Sequence, residues 1–471
     1  MNSVLSIFEE ITKIPRPSKH EAKMTAFLLD FAKRHNLESK SDECGNVLIK
    51  APATKGYENR ETIVLQAHID MVCEKNSDVE HDFLNEGIRT IIEDGWMRAD
   101  GTTLGADDGI GVAAALAIVS DASVEHAPIE CLFTVDEETG LTGAHNLKAG
   151  FFTGRTLLNL DSEDEGEIFI GCAGGCGTMA SYTVDSEPVS GNITLEVKIS
   201  GLQGGHSGGD IHLGRANAIK LLADFLNIAV DRYAIRLVKI DGGNLHNAIP
   251  REASAIFSVD FKHREEIRVE LNNFIADVED YYSDIEPQMN ITMQSADNVN
   301  VAMSAALTSK IIKALEACPN GVIDMSRVVP GLVETSTNLA SIHTQNGKIE
   351  IVTSQRSSVE YRKQMIARMV AATFALSGAE IEFGDDYPGW QPKADSPILK
   401  RAVEAYRRLF GEEARVKAIH AGLECGLFLD KYAGLDMISF GPTLRDVHSP
   451  AERLDIKSVD KFWALLCELV K

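Results

Sequence analysis

VLQAHIDMV, residues 64–72, decides how this chain is read. Val64, Leu65 and Ala67 form an apolar run suited to the middle of a parallel sheet, where both faces are covered. The run ends in His68-Ile69-Asp70, two polar groups that need partners where the strand leaves the core. Taken alone, an H-x-D ending is compatible with solvated residues or a helix cap. In open α/β sheets, however, the C-terminal ends of strands are where ligand sites form.

Outward from this strand, helical and strand-like runs alternate over the first 170 residues or so. Residues 3–34 carry helical apolar spacing interrupted at Pro15 and Pro17. Strands are expected at 46–50, 62–67, 129–135 and 156–160, and the alanine-rich stretch 109–120 reads as a buried helix. Such alternation predicts an α/β sheet, mostly parallel but mixed, flanked by helices. The character changes at the polar stretch Val184-Asp185-Ser186-Glu187-Pro188 and again at Tyr387-Pro388-Gly389-Trp390-Gln391-Pro392. The expected organisation is a discontinuous α/β domain, 1–185 and 390–471, interrupted by an inserted α+β domain at 186–389. Within the insertion a strand–helix–strand pattern recurs, 252–294 resembling 348–383, without sequence identity between the copies.

Composition excludes several function classes. The 471 residues exceed one ordinary domain. A net charge of −24 argues against nucleic acid as a partner. No apolar stretch approaches the roughly 20 residues that span a bilayer, so no membrane partner is expected. The N-terminal MNSVLSIFEEITKIP reads as an amphipathic helix, not a signal peptide. Eight scattered cysteines then suit a cytoplasmic protein with reduced thiols. Cys172 and Cys176, in GCAGGCG, read as structural thiols beside a glycine-rich turn.

Four further stretches share the peculiarity of His68: Gly105-Ala106-Asp107-Asp108-Gly109, Val135-Asp136-Glu137-Glu138-Thr139, Asn159-Leu160-Asp161 and Asp446-Val447-His448-Ser449-Pro450. Each alone has a plain reading; Asp107 or Asp108 suits an N-cap, and Glu137 and Glu138 suit a solvated loop. Together they would crowd like charges at the ends of apolar strands, which is costly unless cations neutralise them. Histidine with carboxylate favours zinc or its neighbours over magnesium. Two histidines and three carboxylates, one of them shared, provide three ligands for each of two ions, with a water between them.

HIDMV, TTLGADDGIG, DEETG, NLDSEDEGEI and DVHSPAE together resemble the co-catalytic di-zinc metallopeptidases that include carboxypeptidase G and the succinyl-diaminopimelate desuccinylases. NGVI, VVPGLVETS, YPGWQP, IHAGLECGLF and NAIPRE resemble a dipeptidase branch of that family, and the resemblance runs in order over nearly the whole chain. It implies two Zn2+ per chain, with Co2+ or Mn2+ able to substitute: His68 and Asp161 on one, Glu138 and His448 on the other, Asp107 bridging. It implies Asp70 behind His68, orienting the imidazole, and Glu137 as general base for the bridging water. It implies a peptide bond of cis geometry after Asp107. The inserted domain would be the family's lid, with His206 polarising the scissile carbonyl and His206, Asn247 and Arg356 binding substrate. A lid of this length can supply His206 within one chain, and a homodimer through the lid is compatible with it. The implied activity is hydrolysis of unblocked dipeptides, including Xaa-His. An N-acyl amino acid hydrolase or small carboxypeptidase would use the same ligands, and a silent metal-binding scaffold the same fold. Glu137 speaks against the scaffold, because a structural site needs no base.

Overall fold

The computed structural model describes residues 3–471, which divide into two compact units. The first comprises the chain up to Cys172, then Trp390–Ala418 and Leu423–Lys471. The second comprises Ala173–Gly389 and Ile419–Gly422.

The first unit is built on an eight-stranded sheet, ordered Glu38–Ser41, Val47–Ala51, Ile129–Thr134, Ile63–His68, Thr156–Asn159, Asp436–Ser439, Glu167–Cys172, Arg415–Ile419. Its centre is parallel: Ile63–His68 pairs in parallel with Ile129–Thr134 and Thr156–Asn159, which pairs in parallel with Asp436–Ser439. Antiparallel strands flank that centre, as in many mixed sheets. Ile63–His68 and Ile129–Thr134 are buried at every position, which explains why their sequences run apolar instead of alternating. Parallel pairing brings His68 opposite Thr134, so the segments that follow both strands emerge at one edge. The helix Ala106–Ser120 is buried over almost its whole length; alanine and glycine let it pack closely against Ile63–His68 and the helix Ser3–Ile11. Pro15 and Pro17 lie between Ser3–Ile11 and the next helix, Ala22–Arg34.

The second unit carries a nine-stranded sheet whose paired strands run antiparallel. Its repeat is structural. Asn192–Ser200 is flanked by Ala253–Asp260 and Asn290–Ser295, which are joined through the helix Arg264–Tyr282. Gly174–Thr183 is flanked in the same way by Lys348–Ser357 and Glu380–Tyr387, joined through the helix Glu360–Leu376. The unit therefore begins at Ala173, ahead of the boundary expected at 185/186, because Gly174–Thr183 is the central strand of the second copy. GCAGGCG is correspondingly strand, not turn. A Cβ on Gly174 would meet the backbone of Tyr387 and Gly389 at 2.5 and 2.4 Å, so glycine there permits the strands to close up.

Candidate active site

The ends of three central strands, the start of the buried helix and the loop after Leu444–Arg445 bring five ionisable side chains of the first unit together. Donor atoms of His68, Asp107 and Asp161 form one group, and those of Asp107, Glu138 and His448 another; within each group they lie within 4.8 Å of one another. Asp107 belongs to both. Its Oδ1 lies 3.0 Å from Nε2 of His68, and its Oδ2 lies 3.0 Å from Nε2 of His448. Nε2 of His448 is also 3.0 Å from Glu138, and Nε2 of His68 is 3.7 Å from Asp161. Glu137 contributes an oxygen to a further group with His68 and Glu138.

The local backbone explains this convergence. The peptide bond between Asp107 and Asp108 is cis, and both residues have non-helical dihedrals at the start of the helix. The two aspartates divide the alternatives that the sequence left open. Asp108 caps the helix, its carboxylate accepting from the Gly111 N–H at 3.2 Å, while Asp107 faces the histidines. On the loop after Ile129–Thr134, Asp136 takes a left-handed φ of 50° and Glu137 begins a short helical turn. Asp70 organises that turn, accepting from the backbone N–H groups of Glu137 and Glu138 at 3.0 and 3.2 Å. Its carboxylate also accepts from the Ser18 hydroxyl and lies 3.3 Å from Nδ1 of His68. Burial would raise its pKa, yet His68 and these donors hold it down at about 2.

The electrostatics of the cluster suit a cation. Burial, reinforced by neighbouring carboxylates against opposition from His68, pushes Asp161 and Glu137 well above the ordinary carboxylate range. Hydrogen bonds to Asp107 and Glu138 push His448 up to about 11. Burial opposes charge on His68, but Asp161, Asp107 and Asp70 outweigh it and raise its imidazole well above the usual range. Acids pushed up beside bases pushed up are competing for too little positive charge. Imidazole nitrogens and carboxylate oxygens at this spacing fit divalent ions of the zinc type.

Four residues beyond the sequence reading support the cluster. Glu452 is buried and accepts from four successive backbone N–H groups, Leu104 to Asp107. Arg16, also buried, donates to the carbonyls of Ile69, Asp70 and Gly105. Ser18 bonds Asp70, as noted. Glu424 accepts from Gln66 and Thr134 at 2.7 and 2.8 Å, and burial raises its carboxyl to about 7. Their only sequence signals were a charge set between prolines in PRPS and glutamates inside SPAE and HAGLECG.

His206, Asn247 and Arg356 belong to the second unit. Gly205–His206 pairs with Ala248–Ile249 in a small ribbon, and the Asn247 carbonyl accepts from the Ser207 N–H at 2.8 Å. Nδ1 of His206 accepts from the N–H groups of Gly208 and Gly209 at 3.3 and 2.9 Å. Burial and the nearby Arg356 lower its pKa, and with Nδ1 accepting from two N–H groups the ring's donor position is Nε2. Arg356 is buried and donates to the Tyr387 hydroxyl at 3.1 Å. A Cβ on Gly208 would meet the His420 carbonyl at 2.2 Å, Cε1 of His206 at 3.1 Å and Cδ of Arg356 at 3.3 Å, so three segments converge there.

Residues 64–471 match the family described as Peptidase family M20/M25/M40. The chain is 42% identical over 466 residues to the cytosol non-specific dipeptidase of Escherichia coli (strain K12), covering 99% of this chain and 96% of that one. Its fold matches the crystal structure of aminoacylhistidine dipeptidase from Vibrio alginolyticus with a TM-score of 0.94 and 41% identity, covering 99% of this chain and 96% of the other. The aminopeptidase PepT of Bacillus cereus shares the fold at a TM-score of 0.63 with 17% identity, over 99% and 97% of the two chains.

Proposed function

The chain belongs to peptidase family M20/M25/M40, and from that premise we propose that it is a zinc-dependent dipeptidase hydrolysing unblocked dipeptides, Xaa-His among them. The observation that carries this reading is the pair of three-donor groups sharing Asp107, with Glu137 alongside. The relatives from Escherichia coli and Vibrio alginolyticus, at 42% and 41% identity, both bear dipeptidase names.

In this reading His68 and Asp161 would hold one ion, Glu138 and His448 the second, with Asp107 available to both; zinc would be the preferred metal, with cobalt or manganese able to replace it. Zinc in such a site polarises a carbonyl and lowers the pKa of water towards neutrality. Glu137 takes a proton from the attacking water and passes it to the leaving amine. Asp70 keeps the Nδ1 side of His68 occupied, which leaves Nε2 for the metal. His206 would donate a hydrogen bond from its Nε2–H to the developing oxyanion. Arg356 receives the free carboxylate through its planar fork, and Asn247 holds the peptide backbone. Work in the cytoplasm and pairing of chains through the 186–389 segment belong to the same reading. Among the described residues no helix is long and apolar enough to cross a membrane.

The test is chromatography of free amino acids after incubation with zinc and a dipeptide panel, with N-acetyl amino acids as control. Release from dipeptides, Xaa-His included, supports the proposal. Release from the acetylated compounds alone would move the protein to the acyl amino acid hydrolases.

A further inference from the structure

Resting on the two-ion reading above, we infer that Glu452 and Arg16 are positioning residues that clamp the backbone bearing Asp107 and thereby set the spacing of the two cation pockets. Neither side chain belongs to the donor groups themselves.

Glu452 is 2% exposed and Arg16 1%, so neither is a solvated surface charge. One oxygen of Glu452 accepts from the N–H groups of Leu104 and Gly105 at 2.7 and 2.9 Å; the other accepts from Ala106 at 2.8 Å and Asp107 at 3.4 Å. An ionised carboxylate is an acceptor only, with room for four donors, and a fan of successive N–H groups is a natural anion cradle. Arg16 works on the opposite polarity. It donates to the carbonyls of Ile69 and Asp70 at 3.1 and 2.6 Å, and to Gly105. One guanidinium thus joins the strand end carrying His68 and Asp70 to the turn carrying Asp107.

Missing side chains make room for it. A Cβ on Gly105 would meet Nη2 of Arg16 at 2.6 Å and Sδ of Met71 at 2.8 Å, and one on Gly109 would also meet Nη2 at 2.6 Å. Gly105 also has φ +70°, which a side chain would strain. The consequence for the site is geometric. Asp107 keeps each carboxylate oxygen 3.0 Å from a different histidine, and a tilt of the 104–107 turn cannot preserve both distances. Glu452 lies four residues after His448, so the loop that contributes a donor to one pocket also holds the backbone of the shared aspartate.

The experiment compares wild type, Glu452→Gln and Arg16→Lys by zinc competition against a chromophoric chelator and by the absorption spectrum of the Co2+-loaded proteins. Glutamine at 452 places a donor where donors already converge, and lysine at 16 cannot reach three carbonyls at once. Zinc affinity should fall about 10- to 100-fold in Glu452→Gln, with an altered Co2+ spectrum and a smaller change in the same direction for Arg16→Lys. Arg16→Lys carries the test if Glu452→Gln fails to fold. Glu130→Gln is the control: Glu130 is buried and accepts from the N–H groups of Thr153 and Gly154, so its loss lowers stability without touching the ions. Wild-type affinity and spectrum in the folded variants, whatever their melting temperature, would overturn the clamp and leave the two-ion reading standing. Failure of the wild-type chain to take up zinc would overturn that reading and the clamp with it.

Discussion

Oδ2 of Asp107 lies 3.0 Å from Nε2 of His448 although 341 positions separate them, while Oδ1 lies 3.0 Å from Nε2 of His68. One carboxylate therefore addresses two histidines from opposite ends of the chain. Asp107 is half-buried, and its desolvation works against the ionised form, yet hydrogen bonds to His448 and His68 hold its carboxyl well below the ordinary range. A two-sided carboxylate whose ionised form is favoured suits a position between two cations.

Glu137→Gln separates chemistry from metal binding. The substitution removes a base but none of the five proposed ligands, so zinc content should match wild type. Hydrolysis should fall by at least about 100-fold, the usual scale for a general base. Elemental analysis alongside kcat checks both halves; half occupancy would transfer Glu137 to the ligands.

His448→Ala should empty one pocket preferentially. The residue serves only the group with Asp107 and Glu138, leaving His68 and Asp161 intact. Equilibrium dialysis should show about one zinc per chain at concentrations that load two in wild type. Retention of two ions at unchanged affinity contradicts the proposed ligand set.

His206→Ala should lower kcat by about 100-fold or more, with zinc content and folding unchanged. Its Nε2 proton is available because Nδ1 is occupied by the N–H groups of Gly208 and Gly209. The loss should fall on kcat more than on KM, since the contact strengthens as negative charge develops on the carbonyl. Near-normal kcat rules the role out.

His420 should make stability depend on pH. Burial and Arg356 lower its pKa to about 3, while Ser336 bonds its ring at 2.7 Å. The unfolded chain, with an ordinary histidine, binds a proton first as pH falls. Stability from this group is therefore complete above the unfolded pKa, near 6.5, and is lost as pH falls towards about 3. Denaturant titrations should show wild type losing about 2 kcal/mol more than His420→Gln between about pH 7 and pH 4.5. Parallel curves for the two proteins would place the proton elsewhere.

The residue types of the donor cluster and the strand ends that present it were legible in the sequence. Ligand chemistry depends on residue type, and an apolar run giving way to ionisable residues is visible in a short window, as in VLQAHID or IECLFTVDEE. The recurrence of strand–helix–strand in the inserted segment was legible for the same reason, since periodicity is local. The tertiary structure decided which strand begins the second unit, because Gly174–Thr183 is defined by partners at 348–357 and 380–387. It also decided which of two adjacent aspartates turns into the cluster and which caps the helix. Arg16 and Glu452 emerged only there, since each acts on backbone groups that are chemically alike in every sequence. What selects their partners is the folded position of a carbonyl or an N–H, and a one-dimensional pattern carries no record of that.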